Sequence, residues 1–351
     1  MSLYKIFIFT ILFLSAITAI TIAQENRSAI EGRVLEASTG APLQYVNVYI
    51  SGTTWGAATD KLGYFEIKSL PAGSHEIVAS MIGYETQTKV ITLKENSTTQ
   101  TEFKLKEATY ELQSVVVSSE SAEEWRLNYD IFKKRFLGET KFAADCKIKN
   151  PEYINLEWIG PNYLIATTDK PIEVINSALG YKISCQLEKF TWDKNLHQVK
   201  ISIRPLFTEL RDSTGDLKQK WQTNREAAYK GSLDQFLRSA VNNSLLQSGF
   251  RIFINLAPLM GNDYQRYLNQ PLVKKDGDDY LMSFSNYLKV EYTLNDPLHP
   301  QVSWLKLVSQ QVTLDKWGYP LERDTFEIYG FWSQRGVADM LPKYFTEGDS
   351  L

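Results

Sequence analysis

Apolar and polar residues alternate with a period of two in a series of short runs between Ile30 and Leu105. Ile30, Gly32 and Val34 share one face, then Val46, Val48 and Ile50, then Phe65 and Ile67. Ile77, Ala79 and Met81 continue the pattern, followed by Val90 and Ile91 within 89–93 and by Phe103 with Leu105. Alternation of this kind marks strands with one buried face. Turn formers separate the runs: Thr39-Gly40, Lys61-Leu62-Gly63, Pro71-Ala72-Gly73 and Glu95-Asn96, residues that take a positive or a preset φ at little cost. About seven short strands at such spacing predict a two-layer sandwich.

Beyond this stretch the period changes. Ser118 to Glu124, rich in Ser and Glu, reads as a linker, and Trp125, Tyr129, Phe132, Phe136 and Leu137 then recur at helical spacing up to Gly138, a C-cap residue. Asn150-Pro151 imposes an extended break. Strand patterns follow at 153–158, 163–167, 172–175, 181–190 and 199–203. One helix interrupts them: Leu233, Phe236, Leu237, Ala240, Val241 and Leu245 form a stripe, with Asp234, Gln235 and Arg238 facing away. Ser232 is placed to be its N-cap, with Gln235 at the N3 position. Gly249 closes the helix, and strand patterns resume at 251–254, 280–284, 287–294, 302–312 and 325–331. The class is mainly β with some α, and 125–351 reads as one β-rich α+β domain.

The first residues form a signal peptide over 1–23. Lys5 gives the positive start, Ile6 to Ile22 the apolar run, and Thr21-Ile22-Ala23 the small residues before a cleavage that leaves Gln24 first. The apolar run also approaches the length of a bilayer span, so an uncleaved N-terminal anchor is the competing reading. No cysteine stands at the cleavage point, as a lipoprotein would require. The expected location is extracytoplasmic, in the periplasm or associated with the outer membrane.

Composition is that of a folded chain, with 43% hydrophobic and 23% charged residues among 351, and 19 tyrosines and 8 tryptophans lean it towards strands. A net charge of -3 without a Lys/Arg cluster excludes nucleic acid as an expected partner. Cys146 and Cys185 are the two cysteines. An oxidising envelope permits them to form a disulfide, the alternative being two buried thiols that pack as small hydrophobes.

The ordered phrases Gly32-Arg33-Val34, Gly40-Ala41-Pro42-Leu43, Val46-Asn47-Val48-Tyr49-Ile50, Thr59-Asp60-Lys61-Leu62-Gly63-Tyr64-Phe65 and Leu70-Pro71-Ala72-Gly73 resemble the carboxypeptidase regulatory-like domain. The resemblance implies a seven-stranded prealbumin-like (transthyretin-like) β-sandwich over 28–117, followed by the larger β-rich α+β domain. It implies no reaction. TonB-dependent receptors carry a similar domain followed by a valine-rich segment like Leu112 to Val117, but continue into a membrane barrel. Gly180-Tyr181-Lys182-Ile183, Ala228-Tyr229-Lys230-Gly231-Ser232-Leu233 with Phe236-Leu237-Arg238, Gly249-Phe250 and Val337-Ala338-Asp339-Met340-Leu341-Pro342 resemble the C-terminal region of bacterial envelope proteins bearing that domain. Those relatives imply export and transfer no functional residue.

Candidate chemistry is sparse. A zinc carboxypeptidase site needs closely spaced His and Glu plus a distant His, and His75, His197 and His299 are far apart with no Glu in that arrangement. No Gly-x-Ser-x-Gly elbow is present. Asp276-Gly277-Asp278-Asp279 offers oxygens for calcium, although a hairpin turn accounts for it with fewer requirements. Arg225, Glu226, Tyr229, Lys230 and Ser232 form a polar cluster at a helix start. Trp55, on the loop 52–58, is either a ligand contact or a cover for the open end of the sandwich, whereas Trp158, Trp192, Trp304, Trp317 and Trp332 sit in strand patterns as core or interface. No catalytic residue, metal site or cofactor is expected. The chain reads as a secreted, non-enzymatic envelope protein. Its sandwich serves as a folding and docking module for a domain that binds an envelope protein or glycan through loops or a strand edge. The alternatives are a glycan or small-molecule carrier and a hydrolase of an envelope polymer.

Overall fold

The computed structural model describes residues 28–108, 119–212, 215–255, 265–267, 271–294 and 296–347. The signal-peptide reading and the strand expected at Leu112 to Val117 lie outside the described residues. The described residues form three hydrophobic cores, largely successive along the chain, with Val337 and Ala338 returning to the middle one.

The first core is the sandwich. β1 (Ser28–Glu36), β2 (Asn47–Ile50), β3 (Gly56–Ala58), β4 (Tyr64–Leu70), β5 (Gly73–Ser80), β6 (Gln87–Leu93) and β7 (Thr98–Leu105) form two sheets, ordered β4-β1-β7 and β3-β2-β5-β6. The inward set is the alternating one: Ile30, Val34, Phe65, Ile67, Phe103 and Leu105 from one sheet meet Val48, Ile50, Ile77, Ala79 and Ile91 from the other. Val90, grouped with Ile91 in the sequence pattern, points outward at 69% exposure, as period-two geometry demands of its neighbour.

The second core begins with α1 (Ser119–Leu137), which starts inside the stretch read as a linker. Phe132 and Phe136 pack under it, Phe132 edge-on to Phe190 at 4.7 Å. β8 (Cys146–Ile148), β9 (Ile154–Ile159), β10 (Tyr163–Thr168), β11 (Ile172–Asn176) and β12 (Tyr181–Asp193) run in the order β8-β11-β12-β10-β9, and β13 (Gln198–Glu209) pairs along the other side of β12. α2 (Asp216–Tyr229) is a helix the pattern did not predict. Its anchor is Arg225, 3% exposed, whose Nε donates to the Leu179 carbonyl at 2.8 Å and whose guanidinium lies 4.0 Å from the Tyr181 ring centre. The polar cluster around Arg225 is thus a helix-to-turn clamp.

α3 (Leu233–Val241) opens the third core with the expected cap: Ser232 Oγ accepts from Gln235 N at 3.0 Å, and Gln235 Oε1 accepts from Gly231 N at 2.7 Å. Arg238 does not face solvent. It donates to the Phe345 carbonyl at 2.7 Å and to the Tyr319 hydroxyl, tying the last described segment to the helix. β14 (Phe250–Asn255), β15 (Gln265–Tyr267), β18 (Tyr287–Tyr292), β19 (Gln301–Leu307) and β21 (Phe326–Gly330) form a sheet ordered β15-β14-β18-β19-β21. β16 (Val273–Asp276), β17 (Asp279–Met282) and β20 (Val312–Leu314) form a small second sheet. The run read as one strand over 302–312 therefore divides between two sheets. Among the described residues no helix is long and apolar enough to cross a membrane.

α1 ends against the segment after β21. Gly138 has φ +90°, and a Cβ there would lie 2.5 Å from Gly336 N and 2.9 Å from Gln334 O. Gly138→Ala is expected to lower stability by roughly 1–3 kcal/mol, read as a reduced urea midpoint. Leu127→Ala on the exposed face of α1 should change it by under about 0.5 kcal/mol.

Candidate functional site

Two features bring the parts of the chain together, a junction on the sandwich and a groove beside it. At the junction, the loop after β2 joins the free edge of β13. Gly52 N donates to Pro205 O at 2.7 Å, Phe207 N donates to Thr53 O at 2.9 Å, and Lys343 N donates to Gly52 O at 2.6 Å. Pro205 fits here because an outward edge position loses no ladder bond with its missing N–H. Beside this pairing, Glu76 of β5, Glu188 of β12, Arg204 of β13 and Arg323 close a four-membered ion cluster. Arg204 Nε meets Glu76 at 2.9 Å and Arg323 Nη1 meets Glu188 at 3.0 Å, with Arg204–Glu188 and Arg323–Glu76 completing the ring. Burial would raise the pKa of Glu76, but the hydrogen bonds and charges of Arg323 and Arg204 outweigh it and hold the carboxyl below the usual glutamate range.

Trp55 belongs to this junction. Its ring packs on the sandwich core and lies 5.4 Å from that of Tyr344. His75 is buried, its Nε2 is 2.7 Å from Pro71 O, and burial lowers its pKa. His197 and His299 are exposed elsewhere. Among the described residues no three His, Cys, Asp or Glu side chains are grouped to hold a metal ion.

The groove has a volume of about 620 Å³ and runs between β13 and β21. Each is an edge strand, since β13 pairs in the sheet only with β12 and β21 only with β19. Val199, Ile201, Phe326, Ile328, Trp304 and Trp332 give it an apolar lining, and Lys189, His197, Lys200, Asp324 and Glu327 are among its polar residues. Trp304 lies across Gly330, where a Cβ would come within 2.9 Å of the indole, and its Nε1 has no acceptor among the described residues. Trp332, also in the lining, is buried and donates from Nε1 to Gly231 O at 2.7 Å. Burial would raise the pKa of Glu327, but Tyr329 at 3.0 Å and Lys306 at 3.2 Å prevail and lower it. A smaller cleft of about 180 Å³ separates Met81 and Tyr84 from Asp169 and Pro171.

Sequence patterning placed Trp304 in a strand as core or interface, with nothing to mark it as the wall of a groove. The other sequence candidates resolve separately. Asp276 pairs with Asp279 across Gly277-Asp278, with Gly277 at φ +64°, so the acidic run is a hairpin turn. Cys146 and Cys185 are free and buried. They lie opposite Asn176 and Ile172 of β11, on its two sides. Strand spacing and rise then separate them by on the order of 16 Å, beyond the roughly 7 Å a disulfide spans. Burial, then Asp339 and Asp145, pushes the Cys146 thiol up to about 12.

Comparison with known proteins agrees with the N-terminal architecture. Residues 30–117 match the family model of the CarboxypepD_reg-like domain. The chain carries a carboxypeptidase regulatory-like domain. No curated protein matches the chain. Among solved structures, a type II cohesin–X–dockerin complex mutant from Acetivibrio cellulolyticus is 22% identical over 29% of this chain and 73% of its own, with TM-score 0.22. The group B streptococcus pilus 2b backbone protein is 17% identical over 23% and 41%, TM-score 0.19. A DUF3823 family protein from Parabacteroides merdae is 14% identical over 56% and 85%, TM-score 0.19. At these scores the overlaps carry no argument about function.

The regulatory-like domain is thus held to the rest of the chain by a partly exposed ion cluster whose glutamate titrates below its ordinary value. A depressed carboxyl contributes stability that is present above the unfolded pKa, near 4.5, and lost as pH falls through the lower folded value. Glu76→Ala should cost roughly 1–3 kcal/mol, between exposed and fully buried ion pairs. The difference between variant and wild type, measured by thermal melting, should shrink as pH is lowered from 7 towards about 3. A separate expectation concerns the thiols: protein denatured without reductant should titrate both cysteines with a thiol reagent.

Proposed function

We propose that this protein is a non-enzymatic binding protein of the cell envelope. The regulatory-like domain braces the β-rich remainder, and the groove between β13 and β21 takes the ligand. The observation that carries this reading is the groove itself. Its volume of about 620 Å³ falls in the range of ligand sites, and it combines an apolar lining with a few polar groups. The Trp304 ring, packed against Gly330, gives the groove an aromatic wall.

A hydrolase of an envelope polymer would need one carboxyl kept protonated as the acid beside an ionised partner. Glu327, in the groove lining, is shifted towards the ionised form and so does not supply that acid. Its hydrogen bond to Tyr329 and ion pair with Lys306 suit a structural or electrostatic role. The apolar run before Gln24 and the family resemblance support export to the periplasm or an outer-membrane association. The apolar groove, walled by Trp304 and Tyr329, also suits a glycan, which would stack on the rings.

The purified chain, incubated with fractionated envelope polymers and proteins, should bind one fraction saturably and release neither new reducing ends nor new amines. Trp304→Ala, checked for an unchanged circular dichroism spectrum, should weaken that binding by about tenfold or more. Turnover of a polymer that survives Trp304→Ala would refute a binding role for the groove.

A further inference from the structure

The hydrogen bonds of β13 show which of its backbone groups face away from β12. Pro205 O and Phe207 N point outward, because they bond to the loop of the regulatory-like domain. Peptide groups alternate in direction along a strand, so the outward positions continue at Ile203, Ile201 and Val199. Ile203 O is approached by Arg323 Nη1 at 3.4 Å. Val199 and Ile201 open on the groove, and their outward N–H and C=O groups have no partner among the described residues. The far wall has the same character. Val308 N donates to Thr325 O, which puts the outward positions of β21 at Phe326 and Ile328, both in the lining. The groove is therefore walled by unpaired main-chain donors and acceptors as well as by apolar side chains.

Charge narrows the occupant. Lys189 and Lys200 line the groove without an ion pair among the described residues; Glu327 is paired with Lys306 and also lies in the field of Lys200, and with Asp324 it is outnumbered by the lining cations, which include Arg135 and Arg335. The cations left over on the β13 side favour acidic side chains. Building on the binding role assigned to the groove, we propose that the edge of β13 from Val199 to Ile203 receives an extended peptide with alternating apolar and acidic residues as an added strand. Its main chain pairs with Val199 and Ile201, its apolar side chains meet Phe326 and Ile328, and its carboxylates face Lys189 and Lys200. The adjoining stretch of the same edge already accepts a strand-like segment at Gly52-Thr53, with the bridge Thr53 to Leu206, so the geometry of the edge is competent for pairing.

The test uses the full chain and a fluorescently labelled eight-residue peptide of alternating valine and glutamate, followed by anisotropy. Saturable binding is expected, lost on full N-methylation of the peptide backbone and weakened by about tenfold or more in Lys200→Glu. Ile201→Pro removes only an outward N–H, as Pro205 already does at an equivalent position, and should weaken binding similarly. If that variant fails to fold, the N-methylated peptide on the wild-type chain decides. Equal binding of the N-methylated and parent peptides, or no binding of the parent up to about 1 mM, overturns strand addition. If an acidic oligosaccharide then binds in a Trp304-dependent way, the groove remains a ligand site and only its proposed occupant falls.

Discussion

The architecture depends on one edge, the outer side of β13. At Pro205 and Phe207 it is paired by Gly52-Thr53, and immediately beside it Arg204 and Arg323 join Glu76 and Glu188. These four charges come from the sandwich, the middle sheet and the segment before β21, so three separate cores meet at a single polar junction. Partly buried ion clusters add modest net stability because desolvation offsets much of the Coulomb attraction. Their geometric demands are strict, however, since two guanidinium forks must each satisfy two carboxylates. The cluster therefore fixes relative orientation more than it adds free energy. That orientation sets β13 and β21 on opposite walls of the groove.

Much of the fold was legible because half-buried strands write their geometry as alternation. The sandwich strands that carry Ile30, Val48, Phe65 and Ile77, and the helix from Leu233 with its Ser232 cap, lie where the pattern puts them. What escaped lacked that signal. β3 is Gly-Ala-Ala, too small to show a face, and α2 carries a mostly polar sequence whose anchor is the buried Arg225. A periodicity argument sees apolar stripes, so a helix held by a guanidinium on carbonyl oxygens is invisible to it. The helix running to Leu137 was read from Trp125 onward, but its start at Ser119 was hidden, since Ser and Glu suit a first helical turn as well as a linker.

The candidate site was harder to read because its parts are brought together only by the tertiary fold. Val199 and Ile201 looked like ordinary strand residues, and Trp304 like a core aromatic. Nothing local announces that both their strands are edges, because edge status depends on sheet order. Trp55 was singled out from its loop position, yet the ring it meets belongs to Tyr344, at the far end of the chain. The disulfide reading failed on the same ground: two cysteines in one compartment say nothing of register, and β11 stands between them.

An open, apolar strand edge is an aggregation hazard, and proteins guard such edges with lysine, bulges or proline. β13 carries all of these protections or abuts them. Lys200 projects from it and Lys189 from its neighbour, Pro205 interrupts its outward donors, and β12 carries a bulge between Leu187 and Lys189. Positive charges repel a second copy of the same edge, since like charges brought together across a strand pair are unfavourable. The same charges admit a strand of opposite sign. Protection against self-association and selection of an acidic partner are in this way one electrostatic property of one strand, and neither needs any residue beyond those that already close the groove.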